Sequence, residues 1–295
     1  MNTNTVQKLI GKEGLPADYC EVVDQYWTPL ATAIARKAAS RKPLIVGING
    51  AQGSGKSTVC AFLEVLLKRR GLRAVTLSLD DLYLTRDERF ELAEKVQSLF
   101  ATRGVPGTHA TALGKAIIED LLAGRSFTLP RFDKAKDDRL EQGERISGPV
   151  DVLLFEGWCV GARPQTPQQL SQPVNQLEAE EDRRGIWRGL VNRFLQTEYA
   201  DLFGLIDMLV MLKVESFDAV LANRTRQEEK LRAANPGAPG MMDEAALTRF
   251  IAHYERLTRH MLEEMPGRAD ITFAIGQDQR PLALPDGLTP PASLS

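Results

Sequence analysis

The sequence predicts an α/β protein: an open, mainly parallel sheet with helices on both faces. Two observations point to it. Short, continuous apolar runs have the character of strands covered on both sides, and stretches of helical spacing lie between them. A third is the glycine-rich turn that joins the first such run directly to an amphipathic helix.

Residues 1 to about 40 read as helical, with apolar groups at helical intervals through "YCEVVDQYWTPLATAIARKAASRK". "PLIVGI", Pro43 to Ile48, is the first strand. After the turn, "KSTVCAFLEVLLKRRG" gathers Val59, Phe62, Leu63, Leu66 and Leu67 on one face and closes on basic residues and Gly71, a C-cap signal. "RAVTLSL" is the second strand, so Pro43 to Asp81 forms a βαβ unit whose crossover should be right-handed. "VDVLLFE" (Val150–Glu156), "IDMLVMLKV" (Ile206–Val214) and "ITFAI" (Ile271–Ile275) supply further strands. "ALGKAIIEDLLAG" and "EAALTRFIAHYERLTRHMLEEM" are helices between them. Residues 1–40 are expected to form an N-terminal helical extension, 41–284 the main domain, with a polar, acidic surface insertion at about 163–185, and 285–295 a loosely ordered tail.

Composition narrows the function classes. With 295 residues, 43% hydrophobic and 26% charged, the chain is an ordinary globular one. A net charge of −2 shows no global bias toward nucleic acid or anionic membrane, so neither is an expected partner and any anionic ligand needs a local cluster of cations. The three cysteines are scattered and lack CxxC spacing, which argues for reduced thiols and against a disulfide frame or zinc site. The N-terminus lacks the apolar core of a signal peptide, and no apolar stretch approaches the ~20 residues that span a bilayer. A cytoplasmic protein is expected; nothing fixes an oligomeric state.

"GAQGSGKST", Gly50 to Thr58, matches G-x-x-x-x-G-K-[ST] between a buried strand and an amphipathic helix. Glycines let successive backbone N–H groups turn inward around an anion, and the helix N-terminus adds partial positive charge. Gly50, Gln52, Gly53, Ser54, Gly55, Lys56, Ser57 and Thr58 are therefore the candidate nucleoside-triphosphate site. Lys56 would reach the β- and γ-phosphates and Ser57 would place its hydroxyl on Mg²⁺. Glu156, an acid at the end of an apolar strand, is a second candidate for holding Mg²⁺ directly or through water. A P-loop NTPase-type fold follows, with ATP as co-substrate.

Guanine recognition by N-K-x-D is missing, as are the basic tracts of a helicase and the "LSGGQ" sequence of a transporter motor. A small-molecule kinase and a non-enzymatic ATP-binding protein stay open. "LSLDDLYLT" leans toward the kinase, because two aspartates close a strand that should end beside the γ-phosphate. A carboxylate there can orient an alcohol, take its proton and help hold the metal, and general-base assistance is worth ~10²–10⁴ in rate. Asp80 is the candidate base; Asp81 is read as the cap of the following turn.

The combination of "GAQGSGKST", "SLDDLY", "LPRFD" and "LLFEGW" resembles the P-loop kinase family of uridine kinase, phosphoribulokinase and pantothenate kinase. Within it, "RGVPGTH", "LPRFDKAKDDR", "FEGWCVG", "PVNQLE", "WRGLVN" and "NRTRQEEKL" are similar to plant-type D-glycerate 3-kinase and its bacterial and fungal relatives, over residues of about 40 to 280. The resemblance implies phosphorylation of D-glycerate to 3-phosphoglycerate, with a nucleoside, pantothenate or a sugar acid as alternative acceptors. It places the base on Asp80 and an aromatic near substrate on Tyr83, and it implies substrate contacts from His109, Arg131, Asp133 and Lys134, with Trp158 walling the pocket. It also implies a helical lid that brings Arg224 and Arg226 onto the transferring phosphate, and "AIGQDQR" beside the adenine. One departure stands out. The family is expected to carry Asp after "GTH", where this chain has Ala110, so a different acceptor or weak activity is expected if that position faces the substrate.

Overall fold

The computed structural model describes residues 3–234 and 243–290. In chain order its strands are β1 (Leu44–Gly50), β2 (Ala74–Ser78), β3 (Phe127–Leu129), β4 (Phe132–Asp133), β5 (Asp138–Arg139), β6 (Glu144–Ile146), β7 (Val152–Gly157), β8 (Met208–Val214) and β9 (Ile271–Ile275). The helices are α1 (Thr3–Lys12), α2 (Tyr19–Val22), α3 (Thr28–Ser40), α4 (Lys56–Lys68), α5 (Arg86–Lys95), α6 (Thr111–Leu122), α7 (Gln176–Glu181), α8 (Ile186–Gln196), α9 (Glu198–Phe203), α10 (Phe217–Ala234) and α11 (Glu244–Glu264). A turn of π-helix, Val23–Trp27, joins α2 to α3. No helix among the described residues is long and apolar enough to cross a membrane.

Five parallel strands form the main sheet in the order β2-β7-β1-β8-β9. All seven residues of central β1 are buried, and the two-residue period of a strand splits its side chains between two cores. Leu44, Val46 and Ile48 face a cluster built with α1, α3 and α4 that includes Trp27, Leu30, Ile34 and Phe62. Ile45 joins the opposite cluster, where α6 and α9 bring Ile117, Ile118, Leu121 and Leu202. The first 40 residues thus help to cover one face of the sheet. At the other end of the chain, Leu288 is buried in the same cluster as Trp27, and residues 291–295 lie outside the described part.

Two features escape the sequence reading. Around "LPRFDKAKDDR" the chain forms two small antiparallel ribbons, β3 with β6 and, within that stretch, β4 with β5. Strands of two or three residues are too short to show a period. The segment at about 163–185, read as a polar, acidic surface insertion, carries two buried ion pairs. Glu178, 1% exposed, accepts from Arg256 Nε and Nη2 at 2.7 and 2.6 Å. Arg256 also donates to the Gln169 and Gln172 carbonyls. Asp182 accepts from Arg188 Nη1 at 3.0 Å and from the Trp187 and Arg188 amides that open α8. The arginine partners lie on α11 and α8, so the segment locks α11 in place.

Removing one member of a buried pair leaves the other charge uncompensated, at a cost of about 3–5 kcal/mol. Glu178→Ala should therefore lower the urea midpoint of unfolding by that much stability. A loss below about 1 kcal/mol, typical of exposed pairs, would contradict the buried pairing.

Candidate active site

The cradle lies where β1 turns into α4. Gly53 and Gly55 adopt positive φ, +75° and +88°, the left-handed region that side-chain-bearing residues avoid. A Cβ on Gly50 would lie 2.4 Å from Ser54 Oγ, which is itself buried without a partner. Gly55 caps α4 without a side chain, so the first amides of the helix meet no side-chain acceptor there. Lys56 Nζ folds back to donate to the Ala51 carbonyl at 3.1 Å. The glycines and the uncapped helix start thus leave backbone donors and the Lys56 ammonium around one turn, a polarity that fits a polyphosphate.

β7 lies beside β1 and β2 beside β7, and this order brings three acids to one edge of the sheet. Glu156 pairs in register with Ile48 on one side and Ser78 on the other. Its Oε1 accepts from Ser57 Oγ at 3.1 Å, and Ser78 contributes a second hydroxyl. Burial raises the Glu156 carboxyl above its usual range, and Lys56 and these hydroxyls only partly oppose that. A serine hydroxyl and a carboxylate in contact are the hard oxygen donors that Mg²⁺ takes from a protein alongside phosphate oxygens, so the residues present fit that ion.

Directly after Ser78 the chain enters a short 3₁₀ turn, Leu79–Leu82, whose cap is Ser78: its Oγ accepts from the Asp80 amide. Asp81 is therefore not the cap. Its Oδ1 accepts from the Phe132 amide and its Oδ2 from Arg131 Nη1, both at 3.0 Å, so it fastens the β4–β5 ribbon to the sheet. Asp80, about 30% exposed, accepts from Tyr83 Oη at 2.8 Å and Lys134 Nζ at 2.7 Å. Burial pushes its carboxyl up, but Lys134, Tyr83 and Lys56 together hold it below the usual value. Burial conversely pulls the Lys56 ammonium down, against Glu156 and Asp80.

A cavity of about 320 Å³ collects these groups. Gln52, Gly53, Gly55, Lys56, Ser57 and Thr58 line it with Asp80, Tyr83, Lys134, Glu156, Trp158 and Arg224. Trp158 also donates from Nε1 to the Gly104 carbonyl, so it is wall and support at once.

Four expected contacts lie elsewhere. Arg131 is held between Asp81 and Glu144, and Asp133 accepts from the Ala135 and Lys136 amides in the tip of the ribbon. Neither lines the cavity, because Arg131 is engaged by Asp81 and Glu144 and Asp133 by the ribbon tip. Arg226 binds Asn223 Oδ1 and the Gln277 carbonyl, which brings the "AIGQDQR" turn against α10 beside the cradle. His109 is 4% exposed, with Nδ1 2.6 Å from Tyr199 Oη and its ring stacked 4.8 Å from Tyr83. Burial lowers its pKa to about 3, so it is neutral near pH 7, and it meets the cavity wall only where it stacks on Tyr83.

Sequence reasoning missed Arg103, Phe250 and Tyr254, which also line the cavity. Arg103 stood in view as the first residue of "RGVPGTH". Phe250 and Tyr254 share the apolar face of α11 and look like core.

No family model matches the sequence. The kinase mug58 of Schizosaccharomyces pombe is 33% identical over 225 residues, covering 72% of this chain and 79% of that protein. The chloroplastic D-glycerate 3-kinase of Arabidopsis thaliana is 27% identical over 259 residues, or 81% of this chain but 54% of that enzyme, so the chain spans about half its length. Among solved structures, a D-glycerate 3-kinase from Cryptococcus neoformans aligns with a TM-score of 0.70 at 26% identity, covering 87% of this chain and 95% of that one.

Ala110 occupies the N-cap of α6, with no side-chain cap bond, and does not line the cavity. The expected aspartate would meet the helix amides at this position. Ala110→Asp should raise unfolding free energy by about 1 kcal/mol, the usual worth of an N-cap carboxylate. An unchanged or lowered denaturation midpoint would contradict the capping role.

Proposed function

The chain belongs to the P-loop kinase family that holds plant-type D-glycerate 3-kinase and its fungal relatives, and from that premise we propose that it phosphorylates D-glycerate to 3-phosphoglycerate with ATP. One observation carries the reading: Asp80, held by Lys134 and Tyr83, shares a cavity wall with Lys56, Ser57 and Glu156. The named activity of the plant and Cryptococcus proteins supports glycerate as the acceptor.

The α4 amides and Lys56 would bind the phosphate oxygens, and Ser57 and Glu156 would hold Mg²⁺, which would supply neutralising positive charge for the transferring phosphate. Asp80 accepts the proton of the primary hydroxyl as its oxygen bonds to the γ-phosphorus. The bond from that phosphorus to the bridging oxygen breaks, and ADP leaves with the electron pair. Trp158, Phe250 and Tyr254 keep water from competing with the alcohol. Arg224 from α10 lines the cavity and is the lid arginine of this reading; Arg226, engaged with Asn223 and Gln277, helps to fasten α10. All three cysteines are free thiols, which supports a reducing, cytoplasmic setting.

The two adjacent aspartates separate chemistry from scaffolding. With Mg·ATP and D-glycerate, Asp80→Asn should lower kcat by ~10² or more with KM for ATP little changed, whereas Asp81→Asn should chiefly lower stability. The reverse pattern would reassign the base. A pH profile tests the same geometry. The ammonium of Lys134 favours the ionised form of Asp80, so Lys134→Met makes protonation easier and should move the acid limb of kcat/KM to higher pH. A limb that stays put or moves down would contradict the pairing.

A further inference from the structure

Arg103 is the cation on the cavity wall that the phosphoryl-transfer scheme does not use. Its placement is built in depth. Gly104 follows with φ +125°, and a Cβ there would lie 2.0 Å from Tyr254 Oη. Only glycine lets the strand of chain approach α11 closely enough for Tyr254 to donate to the Arg103 carbonyl at 2.8 Å.

The side chain is fixed as firmly as the backbone. Arg103 Nη1 donates to Asp137 Oδ1, and its guanidinium lies 5.6 Å from the Phe132 ring centroid. Arg89, only 1% exposed, donates to the other oxygen of Asp137, to its carbonyl and to the Leu84 carbonyl. Its guanidinium lies 5.8 Å from the same ring. Asp137 itself sits at φ +56°. Two guanidinium groups therefore share one carboxylate; the inner one is sealed off, and the outer one borders the cavity. Among the described residues, Nη1 is the atom of the Arg103 guanidinium with a side-chain acceptor.

A guanidinium is a planar fork that meets a carboxylate with two parallel bonds, and a half-compensated cation in a partly dry wall favours an anion. The site of the reacting hydroxyl is close by. Tyr83, which holds Asp80, stands edge-on to the Phe132 ring at 5.0 Å, so base and cation are organised around one aromatic.

We propose that Arg103 selects the acceptor by binding the carboxylate of a small hydroxy acid through the donors that Asp137 leaves over. Arg89 and Asp137 are positioning residues that fix the direction of that fork. The inference rests on the kinase reading above and adds to it the residue that determines specificity.

The test compares D-glycerate with glycerol, which replaces the carboxylate by an uncharged hydroxymethyl group. Arg103→Gln should lower kcat/KM for D-glycerate about 100-fold, mostly through KM, since charge-assisted bonds to a carboxylate are worth that order. Glycerol turnover and KM for ATP should stay within about threefold, which also reports an intact fold. Arg103→Lys should recover part of the glycerate loss. Asp137→Asn should raise KM for glycerate with kcat preserved. Calorimetric titration of D-glycerate into the Mg·ADP complex of wild type and Arg103→Gln reads the same contrast without turnover.

Equal losses for both acceptors, or an unchanged glycerate KM, would overturn the role of Arg103 while leaving the kinase standing. Turnover of another hydroxy acid, lost in Arg103→Gln, would support the inference and replace only glycerate. If wild type binds no hydroxy acid in either assay, the inference falls whatever alcohol the kinase uses.

Discussion

The in-register pairing of β1, β7 and β2 is the constraint on which the site depends. Ile48, Glu156 and Ser78 stand side by side across three strands, so the chain must leave the sheet at one edge in all three places. One exit becomes the glycine cradle and α4, the second carries Glu156, and the third turns at once into Asp80. Carboxyl ends of parallel strands commonly form such crevices, because the loops there are free to diverge while the sheet fixes their roots. A slip of β7 by one residue would exchange its two faces, sending Glu156 into the core and Phe155 toward the phosphates.

Electrostatics then assigns unlike roles to like residues. Asp80 and Asp81 are neighbours in sequence, yet burial dominates at Asp81 and raises its carboxyl, whereas Lys134, Tyr83 and Lys56 prevail at Asp80 and lower it. The one whose carboxyl is held down faces the cavity. The other is spent on the ribbon that carries Lys134, so scaffolding by Asp81 supports the ionisation of Asp80. His109 works the same way at one remove, as a neutral buried ring stacked on Tyr83.

Much of this was legible in the sequence, for a physical reason. The cradle is local: glycines, Lys56 and Ser57 act within nine residues, and buried strands announce themselves by unbroken apolar runs. Strand ends are equally readable, which is why Glu156 and Asp80 could be named. What depends on direction was not. Arg131 and Asp133 sit in the right segment but turn to Asp81 and to local amides, and spacing says nothing about that. Glu178 and Asp182 look like solvated acids until Arg256 and Arg188 reach them, in the first case from 78 residues away. Phe250 and Tyr254 share the period of the core face of α11, so a lining residue and a packing residue look alike. Arg103 needed Asp137, Arg89 and Tyr254 around it before its charge meant anything.

The central claim is spatial: the cradle presents the terminal phosphate of ATP to an alcohol that Asp80 holds. Its most direct measurement is a crystal structure with a non-hydrolysable ATP analogue, Mg²⁺ and D-glycerate. The acceptor hydroxyl should lie about 2.6–3.2 Å from an Asp80 carboxylate oxygen, with the γ-phosphorus on its other side. A γ-phosphate turned away from Asp80, with no acceptor between them, would contradict it.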